Sequence, residues 1–326
     1  MSRMLAGNSL HKLTDNERLV LGAIAACDDL DVKKLSKNCG LRPHNVRYVL
    51  KGLFEEQLIH RSIFVNYARL GYTIFNMFFS LAGNKREALI DFLRKNPAVS
   101  WLTENSGDYR YELTVLAEHI SELPALVDRV GEKFGTTLKN KIWTAEVAMH
   151  FYGYKQLLNS QKLPAVHVVG SEGARAKIEP VDLTILAKLR DPAIRSENEI
   201  ARSLGVAGST LAYRINRLKK EGVITSSRIG IAMEKLGYLE YQVLIDTDDA
   251  SKEFRESFMR WCAIHRHVLA CFRCFGGWEY KVLVSVTSSE QAFQFQDELT
   301  NRFPSISQAI LIARRNWIKT RPGLVQ

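Results

Sequence analysis

Residues 40–53 (GLRPHNVRYVLKGL) align without a gap on residues 205–218 (GVAGSTLAYRINRL), so the chain repeats itself. Val46, Leu50 and Leu53 fall on Leu211, Ile215 and Leu218, 165 residues on. At the same offset Val20, Leu21 and Ile24 fall on Ile185, Leu186 and Leu189. Leu-Gly-Tyr at 70–72 returns at 236–238, and Gly107-Asp108-Tyr109-Arg110-Tyr111 faces Gly276-Gly277-Trp278-Glu279-Tyr280 at an offset of 169. An offset this steady predicts two copies of a unit of about 145 residues, a constraint that precedes any reading of individual elements. Between the copies, Asn159–Ala176 combines Gly, Ser and Pro with no periodicity, which reads as a linker.

Each copy opens with three short helical patterns. In the second, Pro180 precedes a run with Val181, Ile185, Leu186 and Leu189 on one face. Ser196 and Glu199 form a capping-box pattern before Ile200, Ala201 and Leu204, and Gly205 supplies a turn. Leu211, Ile215 and Leu218 then follow at i, i+4 and i+7, with Ser209 or Thr210 as cap and Gly222 as the stop. Short helix, Gly-containing turn and longer helix make a helix-turn-helix pattern. The rest of the copy alternates. Strand patterns cover Leu239–Thr247, Val268–Phe275, Trp278–Val286 and Ala309–Trp317, with helical runs near Lys252–Ala263 and Glu290–Arg302. That βαββαβ order implies an α+β, ferredoxin-like antiparallel sheet with helices on one face.

The third helix of the second copy has a polar face of one sign: Ser209, Thr210, Tyr213, Arg214, Arg217, Lys219 and Lys220, opposed by Glu221. A recognition helix needs polar groups at its start for base edges and cations nearby for phosphates. Arg214 and Arg217 are therefore the expected base or phosphate contacts. Ser209, Thr210 and Tyr213 would position the helix, and Lys220, with Arg228 on a following wing strand, would reach phosphates. In the first copy the matching helix offers Arg42, His44, Asn45, Arg47 and Lys51, beside Glu55 and Glu56. Asn45 suits adenine and Arg47 guanine. The balance of 45 Lys and Arg against 35 Asp and Glu, a net charge of +10, fits an anionic partner such as double-stranded DNA.

A winged helix-turn-helix followed by a βαββαβ domain resembles the Lrp/AsnC family of transcription regulators, here in a tandem, two-copy form. The resemblance rests on IEPVDLTILAKLRD, SENEIARSLGVAGSTLAYRINRLKKEGVI, KLGY and GGWEYKVLV. It divides the chain into a winged helix-turn-helix at 12–66, a ferredoxin-like effector and dimerisation domain at 67–155 and a linker at 156–177. A second winged helix-turn-helix at 178–232 and a second ferredoxin-like domain at 233–322 complete the chain. It implies self-association through the sheet domains, an amino acid or other small molecule as effector, and Gly107, Asp108, Tyr109, Gly276, Gly277 and Trp278 as effector-loop positions. The two copies in one chain would form an intramolecular pseudo-dimer with unequal half-sites. Siroheme decarboxylases resemble the same architecture. Their Ser-His-Asn-Tyr-x-Arg strand pattern is missing from Val99–Thr103 and Val268–Phe272, so none of their residues carries over.

Other constellations point to no chemistry of their own. Cys271 and Cys274 lie three apart in a strand pattern and so face opposite ways, against joint chelation. No Gly-rich phosphate loop, nucleophile elbow or spaced His pair appears. The expectation is a non-enzymatic chain without metal or cofactor. Five scattered cysteines, no membrane-length apolar run and no apolar h-region in MSRMLAGNSLHKLTDNER lead to a cytoplasmic expectation. A basic stretch of Arg314, Arg315, Lys319 and Arg321 reads as a solvated face that adds to the DNA contact if it lies beside a recognition helix.

Overall fold

The computed structural model describes residues 10–158, 163–170, 173–191, 194 and 196–320. The first copy begins with α1 (Asp15–Cys27), α2 (Val32–Cys39) and α3 (Pro43–Glu55). Thr14 and Glu17 form a capping box at the start of α1, and Asp31 caps α2. Gly40, at φ +73°, makes the left-handed turn into α3, a conformation that side chains with a Cβ resist. Pro43 takes the first helical position, where no amide partner is lost. Val20, Leu21, Ile24, Leu35, Val46, Leu50 and Leu53 fill the space between the three helices.

Strand β1 (Ile59–Val65) follows, and then the sheet domain: β2 (Thr73–Leu81), α4 (Arg86–Lys95), β3 (Val99–Asn105), β4 (Tyr111–Ala117), α5 (Glu122–Phe134) and β5 (Leu138–Phe151). The connecting stretch contributes β6 (His167–Gly170), which pairs with β5, so part of the expected linker is a strand. The second copy runs α6 (Pro180–Leu189), α7 (Glu197–Leu204), α8 (Gly208–Lys220) and β7 (Ile224–Ile231). It ends with β8 (Leu239–Thr247), α9 (Lys252–Ile264), β9 (Val268–Gly276), β10 (Tyr280–Val286), α10 (Ser289–Arg302) and β11 (Ile306–Lys319). None of the helices in the described residues is long and apolar enough to cross a membrane.

The two copies interlock at two places. Strands β1 and β7 pair antiparallel with each other, from Ile59 opposite Ile231 to Val65 opposite Ile224. Each wing also packs into the other copy: Ile63 and Val65 join the core of Ile185, Leu211 and Ile215, while Ile229 and Ile231 join that of Val20 and Leu50. The sheets join through their last strands, 14 residues each. The first half of β5 pairs with β2 and its second half with β9. Likewise β11 starts on β8 and ends on β3. The order β2-β4-β3-β11-β8-β10-β9-β5 therefore closes through the β2–β5 pairing, with β6 as an edge strand beyond β5.

Helices α4 and α5 cover one outer face around Met77, Phe79, Leu113 and Leu126, and α9 and α10 cover the other around Val243, Phe258, Val282 and Phe295. The inner faces of the two sheets meet each other, with Phe78, Leu244, Trp278 and Ile312 as their apolar contact.

Candidate nucleic-acid interface and inter-sheet site

Helix α8 starts at Gly208 after Ala207, so Ser209 and Thr210 lie in its first turn and not at the cap, and both are exposed. Leu211, Ile215 and Leu218 face inward, which leaves Tyr213, Asn216, Lys219 and Lys220 outward. Tyr213 is 69% exposed. On α3 the outward set is His44, Arg47, Tyr48 and Lys51, with Arg42 just before the helix and Asn45 half-buried. Tyr48, the repeat equivalent of Tyr213, is 81% exposed. Lys51 lies 3.9 Å from Glu55 on the next turn.

Arg214 and Arg217 turn away from this face. Arg214 donates to Asp182 at 3.1 Å and to Glu179 at 3.0 Å. Arg217 donates to Glu179 at 3.3 Å and pairs with Asp182. Asp182 is fully buried, and its carboxylate also accepts the Glu179 amide in the capping box of α6. Hydrogen bonding to Arg214 holds the Glu179 carboxyl below its usual range. These two arginines thus clamp α8 onto the start of α6, and the outward cations of α8 are Lys219 and Lys220. In α3 the same positions are Val49 and Gly52, so that clamp belongs to the second copy alone.

Arg228 is also occupied. Its guanidinium lies 4.6 Å from the Phe151 ring and 5.0 Å from that of Phe64, and it donates to the Tyr154 hydroxyl at 3.1 Å. The wing strand it sits on is the partner of β1, so the side chain ties the two copies together where a phosphate contact was expected. The basic stretch at the chain's end likewise divides. Arg314 is buried over Trp317, Lys319 donates to the Asn96 carbonyl, and Arg315 is exposed. Arg321 lies outside the described residues.

The two expected effector loops come together at their aromatic members. Tyr109 and Trp278 meet edge to face at 5.8 Å, and Tyr109 also contacts Phe78. Trp278 is buried, and its indole Nε1 has no partner among the described residues. Gly276, at φ +113°, lies against the Trp143 carbonyl, which accepts the Gly277 amide at 2.9 Å. Gly107 and Asp108 remain in solvent. Beside this junction, burial raises the carboxyls of Asp246 and Glu279 above their usual range.

A buried ion network between the sheets was missed in the sequence. Lys281 Nζ lies 3.0 Å from Glu112 and 3.0 Å from Glu146, and Arg314 lies 3.6 Å from Glu112 and pairs with Glu240. Gln242 donates to Glu112 at 2.7 Å, and Asn76 to Glu146 at 2.8 Å. The cations hold the Glu112 carboxyl below its usual range against the opposing effect of burial. The available signal was a charge at one inward position of two otherwise uncharged strand patterns, YELTVLA and YKVLVSV. Of the cysteine pair, Cys274 borders this network, opposite Glu146 in the β5–β9 register and within reach of Lys281. Cys271 packs among Phe258 and Val282 on the helix side, while Cys274 is on the opposite face.

Comparison with known proteins places these parts in a family. Residues 179–225 match the model of a winged helix-turn-helix DNA-binding domain. An uncharacterized HTH-type transcriptional regulator of Pyrococcus furiosus is 32% identical over 119 residues, 36% of this chain and 79% of that protein. The chain belongs to the Lrp/AsnC family. Regulatory protein AsnC of Escherichia coli is 34% identical to this tandem Lrp/AsnC chain over 61 residues, 19% of the chain and 40% of AsnC. The DNA-binding transcriptional activator DecR of Escherichia coli is 25% identical over 131 residues, 40% of the chain and 86% of DecR.

Over its full length this Lrp/AsnC chain is similar in fold to the siroheme decarboxylase NirDL. The TM-score is 0.62 at 16% identity, over 94% of this chain and 93% of that one. NirDL has also been solved with an iron-uroporphyrin III analogue, and that form gives a TM-score of 0.59. The expectation of a non-enzymatic chain is corrected by this likeness. The whole two-copy architecture is shared with an enzyme, and the missing Ser-His-Asn-Tyr-x-Arg strand pattern had led the expectation away from it.

Proposed function

We propose that the chain is a sequence-specific DNA-binding transcription regulator whose two winged helix-turn-helix units act as an intramolecular pseudo-dimer on double-stranded DNA. The observation that carries this reading is the outward face of α8, inside the segment that matches the DNA-binding model. It combines Ser209, Thr210, Tyr213, Lys219 and Lys220 without an acidic neighbour on the exposed side. Helix α3 presents a second, chemically different face through Arg42, His44, Asn45, Arg47 and Lys51. The β1–β7 pairing fixes the two helices in one body, so the DNA site has two unlike halves. A small-molecule effector, an amino acid in the simplest case, would bind where Gly107, Asp108 and Tyr109 approach Gly276, Gly277 and Trp278. Further self-association runs through the sheet domains, and the chain acts in the cytoplasm.

Fluorescence anisotropy with labelled DNA from the upstream region of the chain's own gene, over a salt series, tests this. Tight, salt-steep binding that prefers the native sequence over a scrambled one supports the proposal; equal, weak binding to both refutes it.

The full-length likeness to NirDL favours a second reading, an enzyme acting on a tetrapyrrole. Its strand pattern is absent here, since Val99–Thr103 and Val268–Phe272 contain no histidine. A shift in the Soret band of an iron porphyrin when the purified chain is added favours the second reading over the first.

A further inference from the structure

The buried ion network has a pattern that its stability alone does not explain. Glu112 and Lys281 occupy the same position of the repeat, 169 residues apart, and they face each other. Glu146 and Arg314 are likewise equivalent, 168 residues apart, and each pairs with an opposite charge from the other copy: Glu146 with Lys281, and Arg314 with Glu112. The inner face of the first sheet is thus anionic where that of the second is cationic. The apolar residues around the network carry no charge asymmetry, although Tyr109 matches Trp278 and Thr144 matches Ile312. Phe78 matches Leu244, and Ile142 matches Ile310, at offsets of 166 and 168.

We propose that this network selects the partner of each sheet: the first half of the chain pairs with the second half and is barred from pairing with another copy of itself. Two first-half sheets face to face would bring Glu112 and Glu146 from each side into one interior, four carboxylates without a cation. Two second-half sheets would bring together two lysines and two arginines, with one Glu240 from each side. Side chains this deeply buried, with 5–11% exposure for Glu112, Glu146, Lys281 and Arg314, cannot shed that repulsion into water. The apolar contacts differ between the copies in size and at one site in polarity, but the charges alone oppose both like-with-like pairings outright. Replacing buried ion pairs by apolar side chains often costs little stability, so stability alone does not account for such a network.

The test exchanges the equivalent residues within the full-length chain. Glu112→Lys with Glu146→Arg makes both inner faces cationic, and Lys281→Glu with Arg314→Glu makes both anionic. Each half exchange recreates, inside one chain, the like-with-like pairing. All four substitutions, with Glu240→Gln added to remove the carboxylate that pairs with Arg314, restore opposite signs with the faces reversed. After refolding, thermal unfolding and light scattering should show the half exchanges losing more than about 10 °C in Tm or collecting in concentration-dependent multimers. The full exchange should recover the oligomeric state of the native chain and most of its Tm. Half exchanges that fold and assemble like the native chain overturn the proposal. So does a full exchange that fails as badly as they do.

Discussion

Arg214 donates to Asp182 across 3.1 Å, and Asp182 has no solvent exposure. The positive charge that looked most available to DNA is therefore part of the packing of the second helix-turn-helix. Removing the cation leaves a buried carboxylate short of a partner. Arg214→Ala should cost about 2–3 kcal/mol, less than a fully buried pair because Arg214 itself is partly exposed. Urea unfolding measures this, and an unchanged midpoint would mean that the clamp is incidental.

Lys219 and Lys220 carry no such load, being exposed at the end of α8. Lys219→Ala with Lys220→Ala should leave stability within about 0.5 kcal/mol of the native chain. The slope of log affinity against log salt should become shallower by about 2, the number of phosphates released. Tyr213→Ala and Tyr48→Ala, at the two exposed aromatic positions, should weaken binding without changing that slope.

Lys155 is a buried amine that donates to the Val268 carbonyl at 2.7 Å, and burial pushes its pKa down to about 7. The unfolded chain holds this proton up to about pH 10.4, so between pH 7 and that limit the unfolded state binds more protons than the folded one. Stability should rise with pH from 7 to 9, by up to ~1.4 kcal/mol per pH unit from this group. Above pH 9 the Cys274 thiol, pushed up to about 12 by burial, acts in the opposite direction. Lys155→Met should flatten the rise in pH-dependent urea unfolding; a slope left intact would assign it to other groups.

The Gly276–Gly277 pair separates two kinds of crowding. A Cβ at Gly276 would lie 2.8 Å from the Trp143 carbonyl oxygen, a backbone atom, at φ +113°. Gly276→Ala should cost about 2–3 kcal/mol through strain at the β9–β5 junction. At Gly277, where φ is not positive, the added Cβ would press on the Cγ2 methyl of Ile142, a stiff β-branched side chain that must shift as a unit, and lie 3.2 Å from the Trp143 carbonyl oxygen. Gly277→Ala should cost less, and Tm values for the two variants rank them directly.

The repeat, the helix-turn-helix units and the second sheet were legible because each writes a local period. The α9 and β8 patterns fall on the observed elements to within a residue at each end. Pairing between copies writes none. The register of β1 on β7, and the division of β5 and β11 between two neighbours, depend on residues more than 100 positions apart. Arg214 and Arg217 have the same spacing whether they face DNA or a preceding helix. Only the position of Glu179 and Asp182 at the start of α6 separates the two cases, and that needs the packing of α6 against α8. Trp278 was expected as an effector-loop position, and its contact with Tyr109 required the two copies to be brought face to face.

Selection of bound sequences from a library of randomised duplex DNA tests the central claim most directly. Two unlike recognition helices held in one body predict an enriched motif with two different half-sites at a fixed spacing near a whole number of helical turns. A perfect palindrome would contradict the pairing of unlike helices, and no enrichment over the input library would contradict sequence-specific binding altogether.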